Sequence, residues 1–283
     1  MKKIFLLAAA ILALSGNVAS AGGRVVTDSI ESRILGTTVK YNVYLPDGFS
    51  DNVETYPSIY LLHGLYGTYD NWTKLTRMEL VADELMASGE CSKAVIFMPN
   101  AGSEDIHNVQ NGYFNVDGWN YEDFFFQEFI PEVESKYRCK GDKQHRAIMG
   151  LSMGGGGSTV YCQRHPDMFS SCYAMSAWLD EEFDEDMPKD KFYLTCKSVH
   201  ENSALDFVDR ADENTRQLLK GVHWFFDCGD DDGLLYLSVD LHRKMKGIGA
   251  DSQLRVHNGA HTWEYWHNAL RDALPYATRC FER

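Results

Sequence analysis

The sequence predicts an α/β fold with a mostly parallel central sheet and helices on both faces. Three observations point there. Short apolar runs alternate with longer amphipathic segments along most of the chain, the order that builds βαβ units. Several runs, such as 58–62 and 94–98, are apolar without alternation, as strands covered on both faces must be. And Gly150-Leu151-Ser152-Met153-Gly154 joins one apolar run to a glycine-rich helical segment.

The elements can be taken in chain order. Residues 24–45 alternate enough for two antiparallel strands, closed by the turn Pro46-Asp47-Gly48. Residues 58–62 form a buried strand that opens into His63-Gly64. A helix is expected over 77–88 and a strand over 94–98, stopped by Pro99-Asn100. A long loop rich in Gly, Asn and aromatics runs from Asn100 to about Trp119; loops of that length in compact domains are usually functional or mobile. Helical periodicity follows over 121–137, then a strand over 146–149 and a helix from Gly154. Strands are expected at 172–175, 224–228 and 253–256, and a terminal helix over 265–281.

Size and composition fit one domain over 22–283. The chain has 283 residues, 44% of them hydrophobic, enough for one substantial core. There is no internal repeat or long linker. The net charge is −14, and −16 without Lys2 and Lys3. Such a surface repels nucleic acid and anionic lipid. Residues 1–21 read as a signal peptide: Lys2 and Lys3, an apolar run from Ile4 to Leu14, then Ala19-Ser20-Ala21 as cleavage site. The run is too short to span a bilayer, which takes about 20 residues. Export to the periplasm or outside the cell is therefore expected, with no membrane anchor. Export would permit disulfides among the seven cysteines. The odd number leaves at least one unpaired, and Cys91 with Cys139 is the pairing expected. No Cys/His spacing suggests a metal.

Residues 150–154 are G-x-S-x-G between a strand and a helix, the context of a nucleophile elbow. The chain is thus expected to adopt the α/β-hydrolase fold, with Ser152 as nucleophile and the Met153 N–H as an oxyanion donor at a helix N-terminus. Side chains at Gly150 and Gly154 would collide with the neighbouring strand and helix. The four glycines 154–157 are not a phosphate loop, because no G-K-[ST] follows. In this fold the acid and then the base follow the serine. His261, between the last strand and the last helix, fits the base; His257 lies in a strand, and His242 and His267 in helices. The acid belongs after the strand ending at Cys228, where Asp230, Asp231 and Asp232 are three candidates. Their spacing is not that of a calcium loop. The loop His63-Gly64-Leu65-Tyr66-Gly67 should supply the second oxyanion donor from Leu65. His63 precedes the serine and is expected to support that loop.

These stretches resemble a known family. YLLHGLYGTYDNWT (60–73), YEDFFFQEFIPEVESKYR (121–138), HRAIMGLSMGGGGS (145–158), FFDCGDDDGLL (225–235) and HNGAHTWEYWHNAL (257–270) are similar to the esterase D-like α/β hydrolases. They are similar in particular to the feruloyl and acetylxylan esterases of carbohydrate esterase family one. The resemblance implies that the acid is Asp232, from C-G-x-x-D, and that His261 belongs to G-x-H-x-W. It also implies a carbohydrate-linked ester as substrate, feruloyl or acetyl, hydrolysed without metal or cofactor. Two departures stand out: the aspartate triplet, and the acidic stretch 179–214, read as an inserted cap that matches no family motif. Tyr66, Trp72, Trp119, Trp178 and Trp263, together with Tyr113 and Phe114, are candidates to stack on the substrate. Rival expectations are a broad short-chain carboxylesterase, an S-formylglutathione hydrolase, an acyltransferase, and a non-catalytic carbohydrate-binding protein.

Overall fold

The computed structural model describes residues 22–49, 54–102 and 112–281. The signal segment 1–21 and part of the expected long loop, 103–111, lie outside the described residues. In chain order come β1 (Arg24–Ser32), β2 (Thr37–Leu45), β3 (Ser58–Leu62), α1 (Asn71–Thr76), α2 (Met78–Ser88) and β4 (Val95–Pro99). Next are the short pair β5 (Asn115–Val116) and β6 (Trp119–Asn120), then α3 (Tyr121–Phe124), α4 (Ile130–Lys136), β7 (Arg146–Leu151), α5 (Met153–Arg164) and β8 (Ser171–Met175). The chain closes with α6 (Lys191–Glu201), α7 (Ala204–Arg210), α8 (Glu213–Leu219), β9 (His223–Gly229), α9 (Leu235–Gly247), β10 (Ser252–His257) and α10 (Trp263–Cys280).

Eight strands form one sheet in the order β1-β2-β4-β3-β7-β8-β9-β10. β1–β2 and β2–β4 pair antiparallel; the pairs from β4 through β3, β7, β8, β9 and β10 are parallel. The expected α/β-hydrolase fold is the one observed. From β3 the chain moves outward to β4, then returns to β7 on the other side of β3. That reversal opens a crevice at the carboxyl ends of β3 and β7, the place where open α/β sheets bind ligands.

Side chains alternate between the two faces, because the strand period is two. Ile59 and Leu61 join one buried cluster with α2 and α10, while Tyr60 and Leu62 join another with α5, α7 and α9. Each fully buried Leu or Ile is worth about 1.5–3 kcal/mol, so both layers hold the sheet in place beneath the crevice.

Three expectations need refinement. The helix expected over 121–137 is broken by a wide π turn at Phe125–Phe129, and α4 restarts with Pro131 in its first turn, where the missing N–H costs nothing. The segment 179–214 is not a separate cap throughout: α7 packs against α5 and α9 as part of the helical layer. The expected Cys91–Cys139 pair is not formed. None of the seven cysteines is in a disulfide; Cys91 belongs to the cluster on one face, and Cys139 packs against the cluster on the other.

Candidate active site

Ser152 stands at the carboxyl end of β7, and α5 begins at the next residue. Its backbone is at φ 53°, ψ −120°, a region that costs a non-glycine residue about 1–3 kcal/mol. Neighbours hold it there. Its N–H donates to the Met175 carbonyl at 2.9 Å, and its carbonyl accepts from the N–H groups of Gly156 and Trp178, each at 3.0 Å. Glycine is required on both sides of it. A Cβ at Gly150 would lie 2.4 Å from the Gly154 carbonyl oxygen, and one at Gly154 would lie 2.5 Å from the His63 carbonyl oxygen.

The Ser152 hydroxyl lies 3.0 Å from His261 Nε2, and His261 Nδ1 lies 2.9 Å from Asp232 Oδ2. Of the three adjacent aspartates, Asp232 alone turns inward. Burial by itself would raise its carboxyl pKa. Hydrogen bonds from His261, the Leu234 N–H and Ser176 outweigh burial and hold it below the usual carboxylate range. Asp230 accepts instead from the Gly259 N–H at 2.8 Å, and the Asp231 N–H donates to the Gly259 carbonyl at 2.9 Å. These bonds fasten the acid loop to the histidine loop. Contact between the loops is close enough that a Cβ at Gly229 would sit 2.2 Å from the Gly259 carbonyl oxygen.

Two supporting residues escaped the sequence reading. Trp266 on α10 meets the His261 ring edge to face, with centroids 4.8 Å apart, and its Nε1–H donates to Ser176 Oγ at 3.1 Å. Ser176 follows β8 at φ 46° and hydrogen-bonds Asp232. Its place directly after a strand was the one available signal, since functional groups gather at strand carboxyl ends.

The loop after β3 runs against the nucleophile: a Cβ at Gly64 would lie 3.5 Å from Ser152 Cβ. Within it the Gly67 N–H donates to the Gly64 carbonyl, and Tyr66 takes φ 58°. His63 is fully buried, and burial pulls its pKa down to about 4, so the ring is neutral. Its Nδ1–H donates to the Gly64 carbonyl at 2.8 Å, and its Nε2 accepts from the Ala101 N–H at 3.0 Å. It therefore ties the Leu65 loop to the loop after β4. Met153 opens α5, and Ser152 offers no side-chain cap to that helix, so its first N–H groups have no intrahelical partner.

The aromatic candidates separate. Tyr66 is exposed at the rim, 54% accessible. Trp119 and Trp178 line a narrow pocket whose wall includes Met153, Phe114 and Leu194. Among the described residues, Trp119 Nε1 is buried there without a hydrogen-bond partner. Trp178 Nε1–H donates to Glu181 at 2.7 Å, and its ring lies parallel to Phe192. Trp263 packs edge to face on Trp266 with centroids 5.0 Å apart, half-buried. Trp72 is misassigned: its side chain is fully buried among α2 and α10 residues, so it supports the core and meets no ligand. Tyr113, also buried, donates its hydroxyl to the His63 carbonyl at 3.0 Å.

Asp227, His257 and Asp272 bring potential metal-ligand atoms within 4.8 Å of one another. Their charges are already engaged. Asp227 accepts the Tyr173 and Tyr265 hydroxyls, and Asp272 is paired with Arg255.

Sheet order, a strained serine after β7 and a histidine in reach of it define an α/β hydrolase of the serine esterase class. The sequence matches the esterase family over residues 32–277, and the chain belongs to that family. A solved structure of a ferulic acid esterase is 47% identical, with a TM-score of 0.87, covering 92% of this chain and 98% of that one. An endo-1,4-beta-xylanase/feruloyl esterase of Xylanibacter ruminicola is 28% identical over 180 residues, 62% of this chain but 24% of that protein. An acetyl esterase of Caldicellulosiruptor saccharolyticus is 23% identical over 247 residues, 81% of this chain and 85% of that one.

Proposed function

We propose that the protein is an exported feruloyl esterase that hydrolyses carbohydrate-linked ferulate through an acyl-enzyme on Ser152. The observation that carries this reading is the narrow aromatic slot whose wall includes Met153, the residue after the nucleophile. A slot between Trp119 and Trp178 suits a flat aryl group, which gains stacking contact that a small acyl group cannot. Trp119 Nε1, buried without a hydrogen-bond partner among the described residues, offers a hydrogen bond to an oxygen substituent on such a ring. Similarity to a ferulic acid esterase over 92% of the chain supports the same substrate. The exposed Tyr66 and half-buried Trp263 beside the histidine loop are assigned to the sugar side in this reading. Lys2, Lys3 and the apolar run that follows support export.

Catalysis proceeds by two acyl transfers. Ser152 Oγ attacks the ester carbonyl carbon while its proton passes to His261 Nε2. Asp232, held ionised, accepts the Nδ1–H of His261, fixes that tautomer and stabilises the imidazolium. The N–H groups of Leu65 and Met153 take the oxyanion. His261 returns the proton to the leaving sugar oxygen. Water then attacks the feruloyl-serine ester with His261 again as base, and ferulic acid leaves. No step calls for a metal or cofactor.

The test is hydrolysis of methyl ferulate against acetylated xylan by wild type and Ser152→Ala. Ferulate release by wild type alone is expected. Acetate release alone would instead support the reading suggested by the acetyl esterase relative.

A further inference from the structure

One guanidinium joins the parts that form the slot. Arg164 is the last residue of α5, the helix that begins beside Ser152. Its Nη1 donates to Glu122 Oε2 at 2.5 Å, on α3, which follows directly from the β6 strand that carries Trp119. Its Nη2 donates to the Asn202 side-chain oxygen at the C-terminal cap of α6. Its plane sits over the Phe114 ring, 5.5 Å from the centroid. Phe114 and Trp119 form one wall of the slot, and Leu194, Ser198 and Val199 of α6 form the other. Asn202 in turn donates to the Ser198 carbonyl at 2.6 Å. Both walls are thus tied to the helix that presents the nucleophile, through a side chain that backs the Phe114 wall and is not itself among the residues lining the slot.

We infer that Arg164 is the positioning residue that fixes the width of the slot, and so sets the preference for aromatic over small acyl groups. The inference rests on the feruloyl reading above. Arg164 is about one-third exposed, 31%, and an ion pair so placed contributes little to stability. Geometry is what it supplies. A planar fork of donors reaches Glu122 and Asn202 at once and still stacks on Phe114; a lysine ammonium makes one such contact at a time. Without it, α6 and the β5–β6 hairpin lose their common anchor, and the stacking surfaces drift apart. Aryl binding then suffers first, because a small acyl group never uses both walls.

Steady-state kinetics on methyl ferulate and p-nitrophenyl acetate test this with wild type, Arg164→Ala and Arg164→Lys. Arg210→Ala serves as a control, since Arg210 is an exposed arginine paired only with its own helix neighbour Asp206. The expected result for Arg164→Ala is a rise of about tenfold in KM for methyl ferulate, equivalent to ~1.4 kcal/mol. Its kcat should change far less, and the ferulate-to-acetate ratio of kcat/KM should fall in parallel. Arg164→Lys should recover part of that ratio, and Arg210→Ala should match wild type. Equal losses on both esters, or no loss on ferulate, would overturn the inference. A wild type that does not hydrolyse methyl ferulate would instead overturn the feruloyl reading, and this inference with it.

Discussion

Asp232 is the residue on which the chemistry of the site is most finely poised. It shares its loop with two other carboxylates, yet only its side chain reaches His261. Replacing it with Asn keeps the shape but lets the histidine adopt the wrong tautomer, with its Nε2 protonated toward Ser152. The expected result for Asp232→Asn is a fall in kcat of about 10⁴-fold, as the same change causes in serine proteases. Asp231→Asn should stay close to wild type, because Asp231 is exposed and contributes only its backbone N–H to the site. Steady-state rates on one ester separate the two. This contrast also marks what the sequence could say. Ser152 and His261 are legible because each sits in a local motif at a fixed place in the chain order. Three adjacent aspartates differ only in which way the turn points them, and that depends on bonds to Gly259, 28 and 29 residues away.

At the scale of elements, the site is a set of strand ends tied to one another. His63 fastens the loop after β3 to the loop after β4 as a neutral ring. Unfolded, it takes a proton near pH 6.5; folded, only near pH 4. Between those values the unfolded chain binds more protons, so stability is whole above pH 6.5 and is lost as pH falls toward 4. The loss from this one group is on the order of 3 kcal/mol. Urea midpoints should therefore fall from pH 7 to pH 4, and His63→Asn, which has no ring to protonate, should flatten that dependence. An equal slope in both proteins would place the acid sensitivity elsewhere. Strands and most helices were readable, since buried strands and amphipathic helices each declare their period. The π turn at Phe125–Phe129 was not, because a run of aromatics gives the same pattern on a regular helix. Trp72 misled for a related reason. It follows the Leu65 loop closely in sequence, but α1 turns it into the core.

Across the whole molecule, two buried layers and one buried ion pair hold the sheet on which these loops stand. Arg146 and Glu134 pair at 2.7 Å, and Glu134 also accepts from the Ser58 and Tyr60 hydroxyls, joining β7, α4 and β3 beneath the crevice. The slot arises only at this scale. Its walls come from 112–119 and from α6, segments far apart in sequence that Arg164 brings together. No local pattern announces such a cavity, which is why 179–214 read only as an unmatched acidic stretch. The five stretches that carry the family resemblance lie inside the matched span 32–277 and were readable because each is a local motif.

Trapping the covalent intermediate bears most directly on Ser152 as the nucleophile of a feruloyl esterase. Wild-type protein turning over methyl ferulate would be quenched in acid within the first turnovers, digested and mapped by mass spectrometry. A feruloyl ester is expected on the peptide that carries Ser152, and none in Ser152→Ala. A feruloyl group on any other residue, or continued turnover by Ser152→Ala, would show that the ester is cleaved by a different nucleophile.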